Sequence, residues 1–349
     1  MTERASNRTG GSRKTMLWVL LGLSVCIIIF LVMLIPVVLT GAPREATVKI
    51  PKDATSEQVG DSLRKYFGDD YTRHVMRLAS LRDVDFSERY GAYKIEEGAN
   101  ALSTVRKLTS GAQTPVRITI NGFRNYPLLL QKISDKMDFP VDSLKVVLQD
   151  SVFMAQYGLT PENAMALFLD DTYEVYWNSS ARDVIKKIGD HYKFIWGPTR
   201  ESLAADLGLS PAEMTVLASI VDEETNNQAE KGTIGQLYIN RLNSKMKLQA
   251  DPTVRFAIGD FTIKRVSKKD LQYDSPYNTY QHPGLPPGPI RTTSAATIKA
   301  ITEAPPNNYL YMCAKEDFSG THNFATTYDE HLKNAVKYQA ALDKRGITR

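Results

Sequence analysis

Leu209-Ser-Pro-Ala-Glu-Met-Thr-Val-Leu-Ala-Ser-Ile-Val-Asp-Glu-Glu-Thr225 announces a helix: Ser210 stands where an N-cap belongs and Pro211 at the first helical position. At 100° per residue, Met214, Leu217, Ala218 and Val221 form one apolar stripe. Glu224 follows Val221 by three residues and Leu217 by seven, so it falls inside that stripe. Asp222 lies at the stripe's edge, and Glu223 points roughly the other way, outward and dispensable. A carboxylate on a core-facing stripe is costly unless paired, neutralised or used. Either a nearby Arg pairs with Glu224, or it reaches solvent, or desolvation raises its pKa into the range a general acid needs.

A second helix is expected over Ala229 to Leu242, with Glu230, Ile234, Leu237 and Arg241 on one face. This face turns a carboxylate and a guanidinium toward apolar neighbours: either Glu230 and Arg241 form a plain buried pair that holds the two helices together, or they serve a nearby site, and the pair itself is compatible with a supporting role there. Gly232 and Gly235 cost this helix roughly 1 kcal/mol each relative to Ala, which makes sense if another backbone or a ligand comes close. Beyond it lie turn-rich runs: Leu248-Gln-Ala-Asp-Pro-Thr-Val254, Ser275-Pro-Tyr-Asn-Thr-Tyr280 and Pro283-Gly-Leu-Pro-Pro-Gly-Pro-Ile290. Their amides and hydroxyls suit sugar hydroxyls and their tyrosine rings suit sugar faces, although such loops also serve as plain surface connections. Gly320-Thr-His-Asn-Phe324 adds one histidine, His322, structural or functional.

Upstream, Val116-Arg-Ile-Thr-Ile120 alternates as a half-buried strand. Helices are expected from Asn125 to about Met137, over Val141–Asp150 and from Ala181 to Leu207, with an aromatic strand or loop over Leu167–Trp177. Helices mixed with short strands give an α+β pattern. Before this domain (114–349), residues 47–113 order themselves as strand (Thr47–Ile50), two helices (capped by Thr55, and near Tyr71–Leu81), strand (Gly91–Ile95) and a helix over Ala99–Leu108. That order resembles a small LysM-like glycan-binding module, and a ligand-free spacer would share it.

The remainder of the chain sets the compartment. Its 349 residues are 42% hydrophobic and 23% charged, a globular composition. Met16 to Leu39 carries no charge and is long enough to span a bilayer, so a single transmembrane helix is expected there rather than a cleaved signal. Residues 40–46 are a linker. Arg4, Arg8, Arg13 and Lys14 precede the span, which puts residues 1–15 in the cytoplasm and the rest outside. The net charge of +4 is not gathered into a basic stripe, which argues against nucleic acid. Cys26 and Cys313 are too differently placed to bridge. No His-Glu-x-x-His, paired Cys, nucleophile elbow or phosphate loop occurs, so neither a metal nor another cofactor is expected and carboxylate chemistry remains.

Ala218-Ser-Ile-Val-Asp-Glu-Glu-Thr225, Tyr238-Ile-Asn-Arg-Leu242, Leu248–Val254, Tyr277-Asn-Thr-Tyr280, Gly284-Leu-Pro-Pro-Gly288, Tyr309-Leu-Tyr311 and His322-Asn-Phe324 occur in one order. Together they resemble the YceG/MltG family of endolytic peptidoglycan transglycosylases, from about Val116 to the C-terminus. The resemblance implies that Glu224, immediately before the Thr, is the catalytic acid. Gln249, Asp251, Thr253, Tyr277, Asn278, Tyr280 and His322 are the candidate sugar contacts, with Glu230, Asn240 and Arg241 in support. It implies cleavage of the β-1,4 bond between N-acetylmuramic acid and N-acetylglucosamine in nascent strands. The muramic C6 hydroxyl then closes a 1,6-anhydro ring, which helps terminate elongation. Peptidoglycan and the membrane are then the partners, with wall synthases nearby. Two departures stand out: Met165, Ala166 and Asp170 replace a Glu-Gly pair and a Pro, and Thr292-Thr293-Ser294 replaces Asn-Pro-Gly. The alternatives are a muramidase that delivers water and a non-catalytic, membrane-tethered peptidoglycan-binding scaffold.

Overall fold

The computed structural model describes residues 9–263 and 265–345. Helix α1 (Thr9–Leu39) comes first. Its described side chains from Met16 to Ile29 are apolar or small and exposed all round. Among the described residues no single helix is long and apolar enough to cross a membrane, and the apolar piece is Thr15–Ile29. The expected span over Met16–Leu39 includes side chains at 30, 31, 33, 34, 36 and 38 that lie outside the described ones. So do residues 1–8 of the expected cytoplasmic N-terminus.

The chain divides into two compact units, the first made of residues up to 116 with 176–178. In it β1 (Ala46–Ile50) and β2 (Gly91–Ile95) pair antiparallel, Val48 opposite Tyr93. Between them runs α2 (Ser56–Ser80), opened by a Thr55/Gln58 capping box. Gly68, at φ 79°, breaks it into two helices, as expected from the sequence. Helix α3 (Ala101–Thr109) closes the unit over a core of Val48, Ile50, Val59, Leu63, Val75, Tyr93, Ile95 and Leu108.

The second unit holds residues 117–175 and 179–349. Strand β3 (Val116–Ile120) pairs with β4 (Asp171–Val175). Between them lie α4 (Tyr126–Ser134), α5 (Val141–Gln149) and α6 (Ser151–Ala155). Helix α7 (Ala181–Asp206) is broken at Gly197-Pro198 and leads to α8 (Pro211–Glu224) and α9 (Gln228–Asn243). Then follow α10 (Asp251–Ile258), α11 (Ala295–Thr302), the hairpin β5 (Tyr311–Ala314) and β6 (His322–Ala325), and α12 (Tyr328–Lys344). Helices and short strands mix, as the α+β reading expects.

The expected amphipathic stripe on α8 is wider than the sequence suggested. Val216 and Ile220 are as buried as Met214, Leu217, Ala218 and Val221, because α8 touches α7, α9, α10 and α11. A helix apolar all round is a helix in the middle of the core. Close packing also explains the α9 glycines. A Cβ at Gly232 would stand 2.6 Å from the Ala300 carbonyl oxygen, and one at Gly235 would stand 2.6 Å from Ile301 Cγ1. Helix α11 lies against α9 only because both positions lack a side chain.

Candidate active site

Helix α8 ends on Glu224. The Ser210/Glu213 capping box fixes its start, and Thr225, extended at φ −146°, stops it. Thr225 Oγ1 accepts from Asn227 N at 3.0 Å, and Asn227 then caps α9 through Ala229 N. Three residues therefore reverse the chain and lay α9 back against α8. That reversal brings Tyr238 to Glu224, its hydroxyl donating to Oε1 at 2.6 Å.

Burial is the largest influence on Glu224 and pushes its carboxyl up to about 7, with Asp251 adding in the same direction while the Tyr238 bond holds it down. Its place on the carbonyl end of a helix disfavours a negative charge further. Burial and the adjacent carboxylate push the Tyr238 hydroxyl far up, so it stays a donor. Glu224 keeps partial exposure, onto a cleft of about 280 Å³. The cleft is lined by Tyr238 and Arg241 of α9, by Gln249, Asp251 and Tyr280, and by β5 and His322.

Of the expected sugar contacts, Gln249, Asp251, Tyr280 and His322 thus share the cleft with Glu224. Tyr280 Oη donates to Asp251 at 2.6 Å, the second tyrosine-carboxylate pair of the cleft. Gln249 sits at φ +50°, a left-handed conformation uncommon for its type, at the turn into α10. Thr253 and Asn278 are elsewhere: both are fully buried. Thr253 Oγ1 bonds Ala250 O and Thr279 Oγ1, while Asn278 Nδ2 donates to Leu271 O and Tyr273 O. They tie the loops together behind the wall, out of a sugar's reach. Tyr277 packs on Phe256, 4.8 Å between ring centres, outside the cleft lining.

The expected Glu230–Arg241 pair does not form. Eleven residues put the two side chains about three turns apart, and each finds nearer partners. Arg241 donates to the carbonyls of Leu310 (2.6 Å), Leu248 (2.7 Å) and Lys247 (3.3 Å), which holds β5 and the Leu248 loop beside the cleft. Asn240 likewise donates to Asn307 O and Tyr309 O. Glu230 turns to His322, accepting from its backbone N at 2.9 Å, with Nδ1 at 3.3 Å.

Glu223 corrects another expectation. Its side chain is only 6% exposed, and Oε1 accepts from Arg124 Nε at 2.7 Å and Arg291 Nη1 at 3.0 Å. The outward direction seen on the wheel leads to two guanidiniums from other elements. Asp222 is buried too, bonded to Lys231 Nζ at 2.6 Å and to Thr297 and Thr293 hydroxyls. Of three consecutive carboxylates, two anchor the end of α8 and the third enters the cleft. Of the departures, Thr292 and Thr293 meet Asp170, whose Oδ1 accepts from Gly122 N and Thr292 Oγ1, while its backbone N donates to Thr293 O. None of these residues lines the Glu224 cleft.

The sequence presents Tyr238 only as the first residue of the Tyr238-Ile-Asn-Arg-Leu242 motif. A tyrosine in a buried helix needs an acceptor for its hydroxyl, and that requirement is the clue that points to it. Met312, Cys313 and Ala314 of the cleft wall gave no such clue.

The YceG-like family matches over residues 48–337, most of the chain. This chain belongs to the YceG-like family. A protein of Bacillus subtilis named endolytic murein transglycosylase is 29% identical to this family member over 73% of this chain and 74% of its own length. A Streptococcus pneumoniae protein of the same name is 25% identical over 84% of this chain, which spans 58% of that relative's length. A crystal structure of a YceG-like protein from Listeria monocytogenes matches with a TM-score of 0.54 at 24% identity. It covers 83% of this chain and 98% of its own, and it shows the shared fold.

Proposed function

We propose that this YceG-like chain is a membrane-anchored endolytic lytic transglycosylase with Glu224 as its one acid and base. The observation that carries the reading is a glutamic acid with its pKa pushed to about 7, held by Tyr238 in a cleft walled by polar side chains. The relatives' shared name supports the substrate, peptidoglycan. Glu224, protonated, donates to the oxygen of the β-1,4 bond between N-acetylmuramic acid and N-acetylglucosamine as the C1–O bond breaks. As carboxylate it then takes the proton of the muramic C6 hydroxyl, whose oxygen bonds C1. Glu224 ends protonated, and no water is consumed.

Gln249, Asp251, Tyr280 and His322 contact the sugars. The stretch of α1 from Met16 to Ile29, apolar or small and exposed, belongs to the segment that anchors the enzyme, and Arg4, Arg8, Arg13 and Lys14 ahead of that stretch keep residues 1–15 inside, so that the cleft works on nascent strands outside. Residues 47–113, with their strand-helix-helix-strand order, serve as a LysM-like module that holds glycan, and residues 114–349 form the catalytic domain.

Asp251 favours one alternative. A second carboxylate in the cleft is what hydrolysis by two acids employs. Mass spectrometry of digested, uncrosslinked glycan decides between them: the transglycosylase leaves ends lighter by one water than a hydrolase does. Reducing ends alone would overturn the proposal.

A further inference from the structure

His322 begins β6 and turns its ring onto the cleft, while Glu230, in the first turn of α9, sits behind it. The carboxylate is doubly engaged by this one residue. Oε1 accepts from the His322 backbone N at 2.9 Å, and Oε2 stands 3.3 Å from Nδ1. Both side chains are mostly buried, 15% and 12% exposed. In the neutral imidazole, a carboxylate beside Nδ1 selects the tautomer with the proton there, which leaves Nε2 as a bare acceptor.

The rest of the cleft shows why such an acceptor matters. The Tyr238 and Tyr280 hydroxyls are donated to carboxylates, and the Arg241 guanidinium is donated to backbone carbonyls. A glycan brings many hydroxyl donors into this cleft, and His322 Nε2 joins the Asp251 carboxylate and the Gln249 amide oxygen as an acceptor for them. We infer that His322, held by Glu230 in the Nδ1–H tautomer, accepts a hydrogen bond from a sugar hydroxyl of the bound strand. Glu230 is thereby a positioning residue. This inference rests on the glycan-cleaving reading of the cleft, and it adds the direction of the bond and the residue that enforces it.

The test reads glycan affinity with full-length protein carrying Glu224→Gln, so that strands stay uncut, and with soluble uncrosslinked glycan strands as probe. Glu230→Gln must accept from the His322 backbone N through its oxygen. Its amide N–H₂ then faces Nδ1 and drives the ring proton to Nε2. This change and His322→Asn, which keeps an amide only at the Nδ1 place, are each expected to weaken binding about three- to tenfold, the worth of one hydrogen bond. His322→Gln, whose amide oxygen reaches the Nε2 place, is expected to keep most of the affinity. Imidazole ¹⁵N shifts should report an unprotonated Nε2 in the parent and a protonated one after Glu230→Gln.

Undiminished affinity in both Glu230→Gln and His322→Asn would overturn the inference, and so would a parent with its proton on Nε2. Absence of any glycan binding would overturn the inference and the glycan reading of the cleft together. Binding is read without cleavage, so a failure of Glu224 as the acid leaves this measurement standing.

Discussion

Glu224 has two physical constraints that pull against each other. Burial holds its proton on near neutrality, and Tyr238, by donating to the carboxylate, draws the pKa down again. Activity that needs the protonated acid should therefore fall as pH rises through about 7. Tyr238→Phe removes the bond that lowers the pKa, so the alkaline limb of the rate profile should move to higher pH. A limb that stays put or moves down would show that Tyr238 does not control this proton. Stability should register the same constraint. A carboxyl at about 7 folded and near its ordinary value of 4.5 unfolded binds more protons in the folded state between those values. Stability is thus lost as pH rises across that window. Glu224→Gln cannot ionise and should be more stable than the parent above pH 7, by at most about 3 kcal/mol and less where the cleft admits water. Thermal unfolding at pH 5 and pH 8 checks it, the advantage being small at pH 5 and near its full size at pH 8. The sequence exposed Glu224 because helical geometry is local. It misjudged Glu223 because the partners that bury it, Arg124 and Arg291, lie 99 and 68 positions away in the chain.

Helices α8, α9 and α11 are held by devices of two kinds. Asp222 binds α8 to α9 through Lys231 and to α11 through Thr297, all within a poorly hydrated contact. Asp222→Ala would leave the Lys231 ammonium without its counter-charge and should cost about 3 kcal/mol of unfolding free energy in denaturant titration. Gly232→Ala drives a methyl to within 2.6 Å of a backbone oxygen, which has no rotamer to relax into. A loss of about 1–3 kcal/mol is expected in the same titration, and an unchanged midpoint would mean that α9 and α11 are not so close. Helical elements with a cap and a period were legible: the α8 start, the kinked pair in α2, and α9 to within a residue at each end. Helix α10 hides in a polar, turn-rich run, although Asp251-Pro252 stands in its first turn. Helix α12 is not legible despite the Thr327/Glu330 capping box, because its half-buried face of His331, Asn334, Ala335, Tyr338 and Gln339 mixes polar with apolar residues while Leu332 and Val336 are exposed. The β5–β6 hairpin has four-residue strands, too short for alternation to register.

Across the whole molecule, one chain carries a helix with an apolar stretch over Thr15–Ile29, a small α+β unit and a carboxylate cleft. Deleting residues 1–39 should move the protein from the membrane fraction to the supernatant, and continued pelleting with membranes would contradict the anchor. The order of motifs made the family legible from the sequence, because motifs survive as short contiguous runs. The cleft's inner wiring was not legible, because it is made of pairs such as Glu230 with His322, 92 positions apart. The most direct measurement of the central claim is digestion of uncrosslinked peptidoglycan strands by the purified full-length protein and by its Glu224→Gln variant, with the products weighed by mass spectrometry. If Glu224 is the acid, the parent gives shortened strands with 1,6-anhydromuramic ends and the variant leaves the strands intact. Cutting by Glu224→Gln at the parent's rate would contradict that role.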